Sequence, residues 1–99
     1  MTEHLHPDHF RPHLTRTFQV RGGRHGLTLT SVHTPALSDA QRQLFAREPF
    51  SLFFEGPPAD VLQEGQYAFD VEGGGAFEFY LIPIYTPARD RQDYQAVFN

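Results

Sequence analysis

Apolar and polar side chains alternate over most of this chain. The clearest stretch is Gln66–Glu72, where Tyr67, Phe69 and Val71 fall on one side and polar residues on the other. An alternation of period two is typical of a β-strand with one buried face. The same pattern, together with one run that is apolar on both faces, predicts six strands. They are Thr15–Val20, Leu27–His33, Phe50–Glu55, Gln66–Glu72, Ala76–Ile82 and Asp93–Phe98.

Glycine and proline mark where these strands turn or end. Gly22 and Gly23 predict a hairpin turn between the first two strands, and Gly73–Gly75 predicts one between the fourth and fifth. The apolar phase of the second strand changes near Thr30 and Ser31, which indicates a β-bulge. Because Pro83 has no N–H to donate, we expect strand pairing to lapse or lie at an edge there.

The segment before the first strand, His4–Leu14, predicts a short helix. Asp8 is a suitable N-cap, and Pro12 falls within about the first turn, where a missing N–H removes little. Phe10 and Leu14 are four residues apart and share a helical face. We expect that face to close the end of a sheet or barrel.

The stretch Thr34–Glu48 allows two interpretations. Ser38 followed by Gln41 matches a capping box, which favours one or two helical turns. Apolar residues stand at helical spacing around it: Leu37, Ala40 and Leu44. The alternative is a long surface loop, which is a common place for a binding site.

These elements predict a mainly β fold of the α+β kind, with about six antiparallel strands in a small roll or barrel and a short N-terminal helix. No helix of 10–15 residues separates consecutive strands, which argues against a parallel sheet. The 99 residues, 39% of them hydrophobic and 14% aromatic, suffice for one compact core. We expect a single domain over residues 1–99, with an N-terminal segment at 1–14 and the β domain at 15–99.

Composition narrows the function classes. Cysteine is absent, which excludes disulfides, thiolate nucleophiles and Cys-ligated zinc. No apolar run reaches the roughly 20 residues of a membrane span, and the start does not resemble a signal peptide, so we expect a cytoplasmic protein without a membrane partner. A net charge of −4 without a basic, aromatic-rich stripe argues against nucleic acid. No cofactor is predicted.

Charge is distributed unevenly along the chain. Residues 1–49 contain six Arg and four acids, a charge of +2, whereas residues 50–99 contain two Arg and eight acids, a charge of −6. All six His also lie in the first half. One explanation is a surface asymmetry without a partner, and the other is head-to-tail pairing of copies.

Histidines near the N-terminus form the first candidate for chemistry. His9 and His13 are four apart on the predicted helix, and His6 lies a turn earlier. Imidazoles at such spacing can bind zinc, nickel or copper. The predicted metal ligands are therefore His6, His9 and His13, in a metal-binding protein or enzyme that ranks third among the possible functions.

A second candidate is a surface for a protein partner or for self-association. On the fifth strand and just beyond it, apolar residues lie on the face opposite the predicted core, and a charged loop follows. If Phe10 and Leu14 do not cover that face, contiguous apolar area there indicates a binding surface. The predicted interaction residues are Tyr80, Ile82, Ile84, Arg89 and Arg91.

A third candidate is a ligand site inside the barrel, with Tyr67 or Tyr94 as a polar contact. Ten Phe suit a packed interior better than a polar cavity. Gly73–Gly75 lacks the Lys-Ser/Thr that completes a phosphate-binding loop, and no Ser stands in a nucleophile elbow. The residues therefore favour a non-enzymatic interaction module, with the ligand-binding barrel as the alternative.

Four segments also resemble a known family. They are Glu48–Pro57, Gln63–Tyr67, Leu81–Pro83 and the Tyr94–Asn99 ending, Tyr-Gln-Ala-Val-Phe-Asn. With these segments the chain resembles a family of small, uncharacterised bacterial domains of about 100 residues. Some members are encoded near microcystin-dependent or phage-tail-collar-like proteins. The resemblance implies an accessory role in a phage-tail-like or surface assembly, and it assigns no catalytic residues.

Overall fold

The computed structural model describes residues 5–45 and 47–99 and contains a closed antiparallel barrel of six strands. The strands are β1 Thr17–Val20, β2 Gly26–His33, β3 Phe50–Gly56, β4 Gly65–Val71, β5 Ala76–Pro83 and β6 Gln92–Phe98. Around the barrel they follow the order β1-β2-β3-β6-β5-β4. The predicted mainly β architecture is confirmed. Each predicted strand is present with bounds shifted by two residues at most.

Local turns and distant pairings together close the barrel. The β1–β2 and β4–β5 hairpins are as predicted, and the β2–β3 ladder shifts register between Leu29 and Ser31, which confirms the bulge. The most extensive ladder joins β3 to β6, from Phe50 opposite Phe98 to Gly56 opposite Gln92. Pairing of β1 with β4 completes the circle.

The ladder between β5 and β6 is short. It pairs Ile82 with Gln95 and Pro83 with Tyr94, and Ile84 N–H donates to the Asp93 carbonyl 3.1 Å away. The expectation that pairing lapses at Pro83 is therefore confirmed toward β4, whose ladder ends at Leu81, and is wrong toward β6, whose ladder includes Pro83. Toward the other end of the barrel, no pairs join residues 76–81 of β5 to residues 96–98 of β6. We call this stretch the seam.

Phenylalanine rings fill the barrel. Phe69 stacks on Phe79 with ring centroids 4.6 Å apart, and Phe54 stacks on Phe79 at 5.7 Å. Leu27, Leu29, Leu52 and Leu81 complete the buried interior. Burial of this much aromatic and aliphatic surface is the main stabilising contribution to the fold.

The N-terminal helix closes one end of the barrel, as predicted. α1 spans Pro7–Phe10 and continues as a 3₁₀ turn, Arg11–His13. The buried Phe10 ring lies 4.5 Å from that of Phe77 and 5.7 Å from that of Phe98, between centroids. The predicted cap, Asp8, is wrong. His6 is the N-cap because Pro7, whose missing N–H needs no partner, occupies the first helical position.

The connection between β2 and β3 contains one further helical turn, α2, Asp39–Arg42. The predicted capping box is present: Ser38 Oγ accepts from Gln41 N–H at 3.2 Å, and Gln41 Oε1 accepts from Ser38 N–H at 2.9 Å. The apolar face predicted for this helix is not buried, because the turn lies outside the barrel and leaves Leu44 79% exposed. No helix in the described part of the chain has the length and apolar character needed to cross a bilayer.

Candidate functional site

The outside of the barrel around β3, β6 and β5 carries several apolar side chains. Paired residues in an antiparallel ladder share a face. Ser51 pairs with Val97, and Gln95 pairs with Phe53 on one side and with Ile82 on the other. All of these side chains point away from the core. We call the following set the outer face: Ser51, Phe53, Tyr80, Ile82, Gln95 and Val97.

Two large side chains are the most exposed members of the outer face. Tyr80 of β5 and Val97 of β6 lie on either side of the seam, where no strand pairing joins them. Tyr80 is 45% exposed and Val97 is 47% exposed. Because solvent-facing strand positions are usually polar, two such residues on one face make the outer face a candidate site.

Tyr80 is held in position by a neighbouring carboxylate. Its hydroxyl donates to Glu64 Oε2 at 2.6 Å. This hydrogen bond, with smaller contributions from desolvation and from the charge of Glu64, raises the pKa of Tyr80 above its ordinary value. The contact fixes the ring on the outer face and lowers the entropy that a partner would have to remove.

An apolar groove of about 290 Å³ continues from the outer face. It lies between the end of the barrel and the β2–β3 connection, and Val97 belongs to both the groove and the outer face. His33, Ser51 and Asn99 are its polar members. Its apolar walls are Pro35, Leu37, Phe45, Pro49, Phe50, Val97 and Phe98.

The β2–β3 connection is tied to the residue that follows β6, beside this groove. Arg47 Nε donates to the main-chain oxygen of Asn99 at 2.8 Å. Leu44 stands next to the groove residue Phe45 and is exposed. The connection therefore places the exposed side chain of Leu44, which we call the projection, next in sequence to a residue that lines the apolar groove.

The predicted interaction residues fall into two groups. Tyr80 and Ile82 lie on the outer face, and Ile84 is half-buried just beyond it. Arg91 belongs to an ion-pair cluster, with Nε 2.8 Å from Asp93 Oδ1 and 3.9 Å from Glu55 Oε1. Arg89 is exposed. Phe10 does not cover Tyr80, because it packs inside the barrel end on Phe77.

Sequence reasoning missed Val97 and Phe53 as surface residues. Both carry a signal, since each is an apolar residue at a position whose strand phase points away from the core. No sequence pattern indicated the groove, because it forms only where the β2–β3 connection packs against β6.

A second, polar cleft of about 330 Å³ lies at the opposite end of the barrel. Thr28, Glu55, Asp90 and Arg91 supply its polar groups. The bonds of Arg91 to Asp93 occupy its guanidinium there. The cleft is therefore a weaker candidate than the apolar groove.

The three predicted metal ligands are not brought together. His6 and His9 are neighbours, and His9 Nδ1 accepts from His6 N–H at 3.0 Å. The chain leaves the α-helix at Arg11, so His13 turns toward the barrel, with its ring edge-on to Phe77. Among residues 5–45 and 47–99, no group of three or more His, Cys, Asp or Glu is placed to hold a metal ion.

The two tyrosines predicted for an internal ligand site already have partners. Tyr94, fully buried, accepts at its hydroxyl oxygen from Leu62 N–H at 2.9 Å, and burial is the main cause of its raised pKa. Tyr67 donates to the Gln63 carbonyl at 2.7 Å. These bonds tie the segment after β3 to the barrel end. The aromatic interior is packed around them.

Comparison with known proteins gives a family and no described function. No curated protein and no solved structure matches the chain. A family described as a domain of unknown function (DUF6916) matches residues 5–98, nearly the whole sequence. The matched residues include the six strands of the barrel and the helix α1 that closes one end of it. The chain belongs to DUF6916.

Proposed function

We propose that the protein is a non-enzymatic interaction module that binds a protein partner through its outer face and the adjoining groove. The observation that carries this proposal is the exposure of two large side chains on the outer face, Tyr80 at 45% and Val97 at 47%. Burying such a pair against a partner releases water from apolar area, at about 25 cal/mol per Å².

The partner that we propose is a second copy of the chain. Each copy carries a projection, Leu44, beside a groove of matching apolar character. In a two-fold dimer, a residue of one copy contacts the partner's groove and the reverse contact forms by symmetry. One projection and one groove on the same surface are what such an arrangement requires.

Charge supports the same interaction less strongly than the sequence suggests. Arg21 pairs with Asp70 at 2.7 Å, and Arg24 pairs with Asp60 at 2.7 Å, so cations of the first half neutralise acids of the second within one chain. Head-to-tail pairing of opposite halves therefore has fewer free charges to use. The apolar surface is the stronger basis for self-association.

The setting that we propose is an accessory place in a phage-tail-like or surface assembly. The support is the family resemblance carried by four segments of the sequence. A non-catalytic role agrees with the state of the carboxylates Asp60 and Asp70, which are held in ion pairs with Arg24 and Arg21.

The test is the mass of tag-free protein in solution, measured by native mass spectrometry and by light scattering over a range of concentrations. We expect a dimer or larger oligomer. Val97→Glu should produce monomers, because the charge would be buried in the interface. Val61→Glu is the matched control, since Val61 is 45% exposed, close to the 47% of Val97, but lies outside the outer face and the groove.

Leu44→Ser provides an independent variant that leaves the barrel untouched. It should weaken association if the projection enters the partner's groove. A folded monomer at all concentrations would refute self-association, and oligomers unaffected by Val97→Glu and Leu44→Ser would refute this surface. Circular dichroism of each variant shows that the barrel is intact.

A further inference from the structure

Three consecutive glycines form the turn between β4 and β5. Gly73, Gly74 and Gly75 have φ of +91°, +116° and +109°, a region that favours residues without a Cβ. The turn is closed by Gly74 N–H, which donates to the Val71 carbonyl at 3.0 Å, and by Val71 N–H, which donates to the Gly75 carbonyl at 2.8 Å. Within the described residues, the N–H groups of Gly73 and Gly75 have no main-chain acceptor.

Two basic side chains lie directly against this glycine backbone. A Cβ on Gly73 would be 3.0 Å from Arg16 Nη1, and a Cβ on Gly75 would be 3.4 Å from His13 Nε2. The missing side chains therefore let a guanidinium and an imidazole approach the turn closely. Arg16 and His13 therefore both lie beside the Gly73–Gly75 turn.

These basic groups have no acidic partner in the part of the chain that the structure describes. Arg21, Arg24 and Arg91 each form an ion pair with an aspartate, whereas Arg16 forms none there. His13 Nδ1 is buried without a hydrogen-bond partner, and Nε2 is the imidazole nitrogen nearest to Gly75. A cationic group without a carboxylate, beside free main-chain N–H groups, is the arrangement that binds anions.

We propose that His13, Arg16 and the Gly73–Gly75 turn bind a phosphate group. The planar guanidinium can bind two phosphate oxygens, and the imidazole and the glycine N–H groups can bind the others. A carboxylate has only two oxygens in one plane and would leave donors unused. The site uses none of the residues of the outer face or the groove, so it stands independently of the proposed function.

The experiment is titration of the full chain with inorganic phosphate, followed by amide NMR and by the imidazole resonances of His13. Binding should shift the amide signals of Gly73 and Gly75 saturably and should raise the titration midpoint of His13. Arg16→Gln should weaken binding by about tenfold or more, because it removes a charge-assisted bidentate contact. Arg16→Lys should retain part of the affinity, since it keeps the charge.

Arg42→Gln is the matched control, because Arg42 is likewise an exposed arginine and lies in α2, away from the turn. It should bind phosphate as the unchanged protein does. Equal shifts with sodium chloride at the same ionic strength, equal affinity for acetate, or full affinity in Arg16→Gln would each overturn the proposal. Methyl phosphate identifies the source: equal affinity indicates a phosphomonoester on a larger ligand, and weaker binding indicates free phosphate.

Discussion

The hydroxyl oxygen of Tyr94 accepts a hydrogen bond from the main-chain N–H of Leu62 at 2.9 Å inside the barrel. Tyr94 lies on β6, and Leu62 lies in the segment that follows β3, 32 residues earlier. Leu62 is itself buried, so this one bond satisfies a buried donor and fastens the segment over the barrel end. Phe10 closes the opposite end.

Tyr94→Phe should lower the free energy of unfolding by about 1–3 kcal/mol, because the buried Leu62 N–H loses its acceptor. Urea unfolding followed by circular dichroism measures the change. Tyr67→Phe is the control. It removes a hydroxyl of the same kind that donates to Gln63 near the surface, and it should cost less. Equal losses in the two variants would contradict a special role for the buried bond.

Phe10→Ala should destabilise the protein by about 3–5 kcal/mol, the usual cost of removing a buried aromatic ring. The ring fills space against Phe77, Phe50 and Phe98, and a cavity would remain there. Thermal unfolding measures the loss. Tyr85→Ala removes an aromatic side chain that is 90% exposed and should change stability by about 0.5 kcal/mol at most. A small effect of Phe10→Ala would show that α1 does not close the barrel.

Gly56→Ala should destabilise the fold by about 1–3 kcal/mol through overpacking. A Cβ there would lie 2.6 Å from Leu27 Cδ2 and 3.3 Å from Tyr94 Cε2, and both side chains are fully buried. Gly65→Ala is the control, since its Cβ would meet Tyr67 at an ordinary 3.7 Å. Denaturant midpoints of the two variants should differ clearly. If they coincide, the tight packing at the end of β3 is not as described.

Acid should weaken the fold through His13. Burial, with a smaller contribution from Arg16, lowers the pKa of His13 below its ordinary 6.5. Below pH 6.5, His13 is therefore protonated more readily in the unfolded chain than in the folded protein, which favours unfolding. The stabilising contribution of neutral His13 is complete above pH 6.5 and is lost as the pH falls through the lowered pKa.

Urea unfolding in phosphate-free buffer at about pH 7.5 and about pH 5.5 measures this dependence. His13→Phe should reduce the loss of stability on acidification, because it places a ring without a titratable group beside Phe18 and Phe77. An identical pH dependence in His13→Phe would exclude His13 as its cause.

Local chemistry was sufficient to predict the strands and several of their irregularities. The alternation at Gln66–Glu72 predicted β4, the change of phase after Leu29 predicted the bulge, and Ser38 with Gln41 predicted the start of α2. Each of these features is decided within a few residues, by side-chain period or by a hydrogen bond along the chain. The wrong prediction at the start of α1 also has a local cause. Pro7 occupies the first helical position, so His6 and not Asp8 is the N-cap.

The candidate sites were decided by contacts between distant parts of the chain. Nothing near Val97 in the sequence places it beside Ser51 and across the seam from Tyr80, and nothing near Gly73 places Arg16 on its backbone. Polarity and periodicity therefore determined which segments became strands and which faces turned inward. Only the closed order of the strands decided which outward side chains meet, because that order depends on packing of the whole aromatic core.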